Sequence, residues 1–174
     1  MGINFDFHML GDRSELRRLV DFISQSPGNY QHYDEWVQRA EYELDGGSKK
    51  AILAYNDGRL IADLICQKHK QNSEAMEIKN VRVEGDMQGR HVASFLVKQA
   101  EMENFWSSSL AVADVRSDRQ DIISFMLECG FEETCTSHLY DLTNPPDVTL
   151  AKVLRQGGKI ILPRVKKIIL GNSL

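Results

Sequence analysis

No apolar run in this 174-residue sequence approaches the length that spans a bilayer, which excludes a helical membrane anchor as the reading. The sequence begins Met-Gly-Ile-Asn-Phe-Asp, without the basic start and apolar stretch of a signal peptide. Asp6 stands where a myristoylation signal requires Ser or Thr. Cysteine is sparse. Cys66, Cys129 and Cys135 form no metal or redox spacing, and an odd, small set reads as reduced, buried thiols in a cytoplasmic protein, with an interaction between Cys129 and Cys135 as the alternative. His8, His32, His69 and His138 have no metal-ligand spacing with each other or with a cysteine, so no metal is expected. There is no Ser/His/Asp arrangement to support nucleophilic catalysis, no internal repeat and no low-complexity tract.

What is present is the composition of an ordinary globular chain, 42% hydrophobic and 26% charged, long enough for one domain with its own core. The net charge of −4 hides an asymmetry. Residues 1–146 carry 15 Lys and Arg against 24 Asp and Glu, whereas residues 147–174 carry 6 basic residues against Asp147 alone. An acidic body suits a cationic substrate such as an amine better than nucleic acid, and solubility alone also accounts for it.

The apolar pattern alternates between periods of two and 3.6 residues. Ile3–Leu10 reads as a half-buried strand, and Asp12 or Ser14 then caps a helix with Leu16, Leu19, Val20 and Ile23 on its apolar face. Ser26-Pro27-Gly28-Asn29 ends that helix. A second helix runs from Tyr33 or Asp34 to about Leu44, with Trp36, Val37, Ala40 and Leu44 inward. Ala51–Tyr55 and Leu60–Gln67 form a hairpin whose Asp57-Gly58 turn needs positive φ. Met76–Val83 is a central strand, followed by a helix to about Asn104 and a strand at Leu110–Val115. Ser117 or Asp118 caps the next helix, with Ile122, Ile123, Phe125 and Met126 apolar, and Gly130-Phe131 closes it. Thr134–Leu142 is the last strand of the body. The order β-α-α-β-β-β-α-β-α-β implies an α/β fold of α+β type, a mixed sheet with helices on both faces. Asn144-Pro145-Pro146 marks a boundary between a domain at 1–143 and a basic C-terminal extension at 144–174. In that extension Val148–Leu154 reads as a short helix ended by Gly157-Gly158, and Lys159–Leu170 as an extended segment, a dimer arm or a docking contact.

The richest stretch is Glu77–Leu96. Ile78, Val81 and Val83 belong to a strand, Val92, Phe95, Leu96 and Ala100 to one helix face, and Gln88-Gly89-Arg90-His91-Val92-Ala93 lies between them. A loop that ends a strand and opens a helix aims free backbone N–H groups, and the positive end of the helix dipole, at one point. Such a place seats a phosphate, so the ligand expected is a phosphate-bearing cofactor held by main chain.

The element order, this loop and the Gly130-Phe131 ending resemble the GNAT N-acetyltransferase superfamily over about residues 3–142. Gln88 and Ala93 fill the first and last places of its Gln/Arg-x-x-Gly-x-Gly/Ala loop, with His91 where glycine is usual. The resemblance implies acetyl-CoA as co-substrate and no metal. Strand backbone around Val81, Arg82 and Val83 would pair with the pantetheine arm, and the amides of the loop, Gln88, Gly89, Arg90, His91, Val92, Ala93 and Ser94, would bind the pyrophosphate. The N–H of His91 can serve unless the site requires positive φ. The family helix that ends Tyr-x-x-x-Gly-Phe has Met126 here in the tyrosine place and Arg119 where an asparagine is usual. Methionine cannot protonate a leaving thiolate, which leaves Tyr140, Cys129, His138 or water as the acid.

Acetyl transfer to an amine needs a group that accepts its proton. Glu77, on the central strand eleven residues before Gln88, resembles the base of the histone-acetylating branch, with Glu84 and Asp114 as second choices. A strand-end glutamate is also commonly a solvated or ion-paired residue. Tyr30, Tyr33, Trp36 and Tyr42 line a pocket for an amine or simply pack the second helix. Three functions follow: an N-acetyltransferase acting on a small-molecule or protein amine, a non-catalytic acyl-CoA-binding module, and an acetyltransferase of charged tRNA. The last is disfavoured because only the tail is basic. No membrane partner is expected, and the tail is a candidate homodimer arm.

Overall fold

The two-residue turn required at Asp57-Gly58 forms in the computed structural model, with φ of 49° and 79°. It joins β2 (Lys49–Asn56) to β3 (Arg59–Lys68). The structure describes residues 5–25, 32–139 and 142–154. The remaining elements are β1 (Phe5–Met9), α1 (Arg13–Ser24), α2 (Tyr33–Asp45), β4 (Ala75–Val83), a single 3-10 turn (Gly85–Met87), α3 (Val92–Glu103), β5 (Leu110–Arg116), α4 (Gln120–Glu128), β6 (Glu132–Ser137) and β7 (Asp147–Val153). The strands form one mixed sheet in the order β1-β2-β3-β4-β5-β7-β6. The Ser26–Asn29 helix end, the Gly157-Gly158 stop and the Lys159–Leu170 tail lie outside the described residues, as do Ile3, Tyr30 and Tyr140. Among the described residues no helix is long and apolar enough to cross a membrane.

The chain divides into two compact units, Met1–Gln67 with Asn80–Glu103, and Lys68–Lys79 with Asn104–Leu174. In the first, Asp12 caps α1, its carboxylate accepting the N–H groups of Ser14 and Glu15 at 2.8 and 2.9 Å. Leu16, Leu19, Phe22 and Ile23 of α1 and Val37 and Leu44 of α2 pack on Ala51, Leu53 and Tyr55 of β2 and Ile65 of β3. Trp36 is only partly buried against this cluster. The alternate residues of β2 face the other way. There Phe7, paired with Ala54 across β1 and β2, meets Phe95 of α3 at 5.8 Å between ring centroids. Helices therefore cover both faces of this part of the sheet.

In the second unit β4 and β5 run parallel, with Ala75 opposite Leu110 and Glu77 opposite Val112. The residues after Pro146 correct the sequence reading. Val148–Leu154 is not a short helix; Asp147–Val153 is strand β7, antiparallel to β5 on one side and β6 on the other. β-Branched Val148, Thr149 and Val153 give little to a helix, and here every residue from Asp147 to Val153 has a cross-strand partner on β5. Lys152 of β7 donates to the Cys129 carbonyl at the end of α4 at 2.7 Å, where the helix dipole favours a cation. β6 is shorter than expected and begins at Glu132. α4 is capped by neither Ser117 nor Asp118: Arg119 occupies the cap position, and Asp118 is held instead by Arg116 at 2.6 Å. Of the three thiols only Cys66 is buried, and burial pushes it up to about 12; Cys135 is exposed, contrary to expectation.

Two consequences are measurable. Nothing lies within 4 Å of a Cβ added at Gly58, so only its positive φ opposes Gly58→Ala. That substitution should cost about 1 kcal/mol in urea unfolding. The ring of His8 in β1 is bonded to Glu15 of α1 at 2.7 Å, and that bond, with the nearby carboxylate charges of Glu15 and Asp6, raises the His8 pKa above 6.5. A raised base stabilises the fold fully below its unfolded pKa and ceases to do so as pH rises through its folded value. Thermal unfolding should show this loss above about pH 6.5 in the native chain and a flatter profile in His8→Gln.

Candidate functional site

β4 ends at Val83, and the chain reaches α3 through the 3-10 turn and Gln88–His91. Gln88, Gly89, Arg90 and His91 are exposed, Ala93 and Ser94 partly so, and Val92 is anchored in the core. Gly89 has φ of 73° with open space around its α-carbon. The His91 carbonyl accepts the Phe95 N–H at 3.0 Å and so starts the helix. The N–H groups of Val92, Ala93 and Ser94 therefore have no acceptor within α3. Three donors at the positive end of a 12-residue helix, reached through an exposed turn, fit a phosphate. His91 has φ of 61°, so this place does require a left-handed residue. That is the reason glycine suits it, and histidine is among the few other side chains enriched there.

The side chains around this loop have structural work. Gln88 donates its amide to the Val83 carbonyl at 3.2 Å. Arg59 and Asp86 pair at 2.7 Å. Arg82 donates to the Ile23 carbonyl at the end of α1 at 2.7 Å, and to the Tyr33 hydroxyl at the start of α2 at 2.6 Å. Its guanidinium also lies 5.7 Å from the centre of the Tyr33 ring. The cation on this aromatic face is thus the protein's own. Tyr33 stacks on Trp36, whereas Tyr42 is 81% exposed.

In the second unit Glu77 is buried and ion-paired, its Oε1 2.6 Å from the Lys79 ammonium. Asp114 belongs to the adjacent strand, two residues beyond the cross-strand partner of Glu77. Burial pushes the Asp114 carboxyl above the usual carboxylate range, and the Glu77 charge adds to the effect, against a hydrogen bond from the Thr149 hydroxyl at 2.7 Å. Thr149 went unnoticed in the sequence because its segment read as helix. Glu84, the other second choice, uses its backbone N–H on the Ile61 carbonyl at 2.8 Å.

Met126, in the tyrosine place, is 2% exposed and belongs to the core. Arg119 spends its guanidinium on Asp121 at 2.8 Å. His138 is exposed, and the Cys129 carbonyl is taken by Lys152.

The sequence reading also missed Asp63. It lies in β3 opposite Leu53, so it faces α1 and α2, and it is fully buried. Its Oδ2 accepts the Asn80 amide at 2.6 Å, while Oδ1 has no hydrogen-bond partner among the described residues. Burial pushes this carboxyl up to about 7, against the Asn80 bond and the Arg82 charge. A signal was present: one carboxylate within the otherwise apolar run Leu60–Cys66.

The loop carries its own test. Glycine relieves the left-handed strain at 91 but adds freedom to the unfolded chain, so His91→Gly should change stability by less than about 1 kcal/mol. His91→Val, a β-branched residue at the same φ, should lose more than about 1 kcal/mol in urea unfolding.

This architecture has counterparts. A protein assigned to the GNAT acetyltransferase family from Desulfovibrio desulfuricans superposes with a TM-score of 0.75 at 10% identity, over 87% of this chain and 100% of its own. The ribosomal-protein-S18-alanine N-acetyltransferase of Escherichia coli gives 0.68 at 14% identity, over 91% and 99%. A spermidine N-acetyltransferase chimera of Vibrio cholerae SpeG and hSSAT gives 0.65 at 15% identity, over 86% and 95%. At such identities the likeness is one of fold. No curated protein matches the sequence. The family model described as "Acetyltransferase (GNAT) family" matches residues 16–131, from the first helix through the Gly130-Phe131 ending and including the loop at Gln88–His91, and the chain therefore belongs to the GNAT acetyltransferase family.

Proposed function

We propose that this protein is an N-acetyltransferase that moves the acetyl group of acetyl-CoA to a primary amine, by direct attack of the amine on the thioester in a ternary complex. The observation that carries the reading is the opening of α3: an exposed turn with Gly89 and His91 at positive φ, followed by three N–H groups with no acceptor in the helix. In this reading the amides from Gln88 to Ser94 hold the pyrophosphate, and the backbone of Val81, Arg82 and Val83 holds the pantetheine arm. A backbone N–H of that strand polarises the thioester carbonyl.

An amine is protonated at neutral pH and must lose its proton before it can attack. Glu77 is the proposed base, acting through water. It is buried and lies 2.6 Å from the Lys79 ammonium, with Asp114 on the neighbouring strand. The acidic balance of residues 1–146 supports the same class of acceptor, a small or protein-borne amine, over nucleic acid. Solvent is the proposed proton source for the leaving thiolate. The burial of Met126 where a tyrosine acid is usual favours a second reading, a non-catalytic acyl-CoA-binding module.

Calorimetric titration with acetyl-CoA, followed by thiol release against a panel of amines, separates the two. Binding with amine-dependent release is expected; binding with no release from any amine would favour the module. Glu77→Gln should lower kcat/KM by about a hundredfold while leaving the acetyl-CoA Kd within about threefold. Unchanged turnover across the pH range would remove Glu77 as the base.

A further inference from the structure

Asp63 is an expensive residue to place where it is. A carboxylate without solvent, with one oxygen bonded to Asn80 and the other bare, weakens the fold whenever it is ionised. A neutral side chain of the same shape would serve packing better. Its neighbours give it a use. Asn80 and Arg82 are alternate residues of β4, on the face that meets α1 and α2, and they flank Val81 in the strand backbone proposed for the pantetheine arm. Asn80 is fastened to Asp63. Arg82 is the cation whose charge acts on Asp63, and its two donors grip the end of α1 and the start of α2.

We infer that Asp63 is a positioning residue for acetyl-CoA binding: through Asn80 and Arg82 it fixes the backbone of Val81–Val83 against the ends of α1 and α2. The inference rests on the acetyl-CoA reading of that strand. Asp63 touches no reactant; it restrains the strand that would.

The charges around it make the role separable from simple structural support. Arg82 is the charged group acting on Asp63 from β4. Tyr33, from α2, stays a neutral phenol because burial raises its pKa. α1 offers the Ile23 carbonyl, and β2 presents Leu53. Ionised Asp63 strengthens the hold on Arg82 and protonated Asp63 relaxes it, so acetyl-CoA affinity should rise with pH through about 7. Stability runs the other way. An acid whose folded pKa exceeds its unfolded one destabilises the fold as pH rises from its unfolded value towards its folded value, here from 3.8 to about 7. Asparagine imitates the protonated form and escapes that loss.

The test measures acetyl-CoA Kd by calorimetry and Tm at about pH 6 and pH 8 on the full-length chain and on Asp63→Asn. The expected result at pH 8 is a Kd weakened about tenfold with Tm equal or higher, and a Kd whose dependence on pH is smaller than in the native chain. Arg82→Lys, which keeps the charge but cannot fork between two acceptors, should weaken Kd to a similar extent. Native Kd in Asp63→Asn would overturn the inference, as would a weakened Kd that falls in step with Tm. If Asp63→Asn fails to fold, Tyr33→Phe decides: Kd weakened about threefold supports the grip, and native Kd overturns it. If the native chain itself does not bind acetyl-CoA, the proposed function falls and this inference falls with it; binding by the native chain with an indifferent Asp63→Asn sinks the inference alone.

Discussion

An α-helix leaves its first N–H groups without partners, and the consequences of that deficit organise this protein. α3 starts soon after the central strand, with only Glu84, a 3-10 turn and the four residues Gln88–His91 between them. Its unpaired donors are thereby delivered to the end of β4. Glycine at 89 and a left-handed histidine at 91 are what the backbone needs to make that entry, while Val92 and Leu96 bury the helix on the sheet. The proposed ligand class rests on this arrangement, because main-chain donors at a helix start favour anionic oxygen whatever side chains surround them.

Electrostatics then divides the labour among carboxylates. Asp12, at the first turn of α1, serves a helix and is exposed. Glu77 is buried and ion-paired with Lys79. Asp114 and Asp63 are pushed towards their neutral forms by burial, each beside one compensating hydrogen bond. Stability alone does not call for such groups, and both belong to strands that border or form β4. Energetic disadvantage at these positions marks them as candidates for chemistry or for holding it in place.

The fold was largely legible because its elements are amphipathic and sharply punctuated. Asp12, Asp57-Gly58 and Gly130-Phe131 each stop or start an element by a local mechanism that needs no tertiary context. The misread part was Asp147–Val153. A heptapeptide with Val, Leu and Ala at mixed spacing fits either period, and only the presence of β5 and β6 on its two sides makes a strand the better state. With that strand went Thr149 and its bond to Asp114. The exposed thiol of Cys135 was misjudged for a related reason, since β6 presents it on a side that the sequence could not rank.

The sequence by itself pointed to the family, and to the turn and the strand-borne glutamate proposed for the site, because these depend on backbone direction and on residues close together in the chain. It did not reveal the Asp63–Asn80 bond or the grip of Arg82 on Ile23 and Tyr33. Those partners are separated by 17, 59 and 49 positions, and no local propensity links them. Sheet register decided them. Pairing β2 with β3 turned Asp63 towards α1 and α2, and the two-residue period of β4 turned Asn80 and Arg82 to the same face. A shift of one residue in either strand would have sent these groups to the opposite face, and only the packed sheet fixes which face that is.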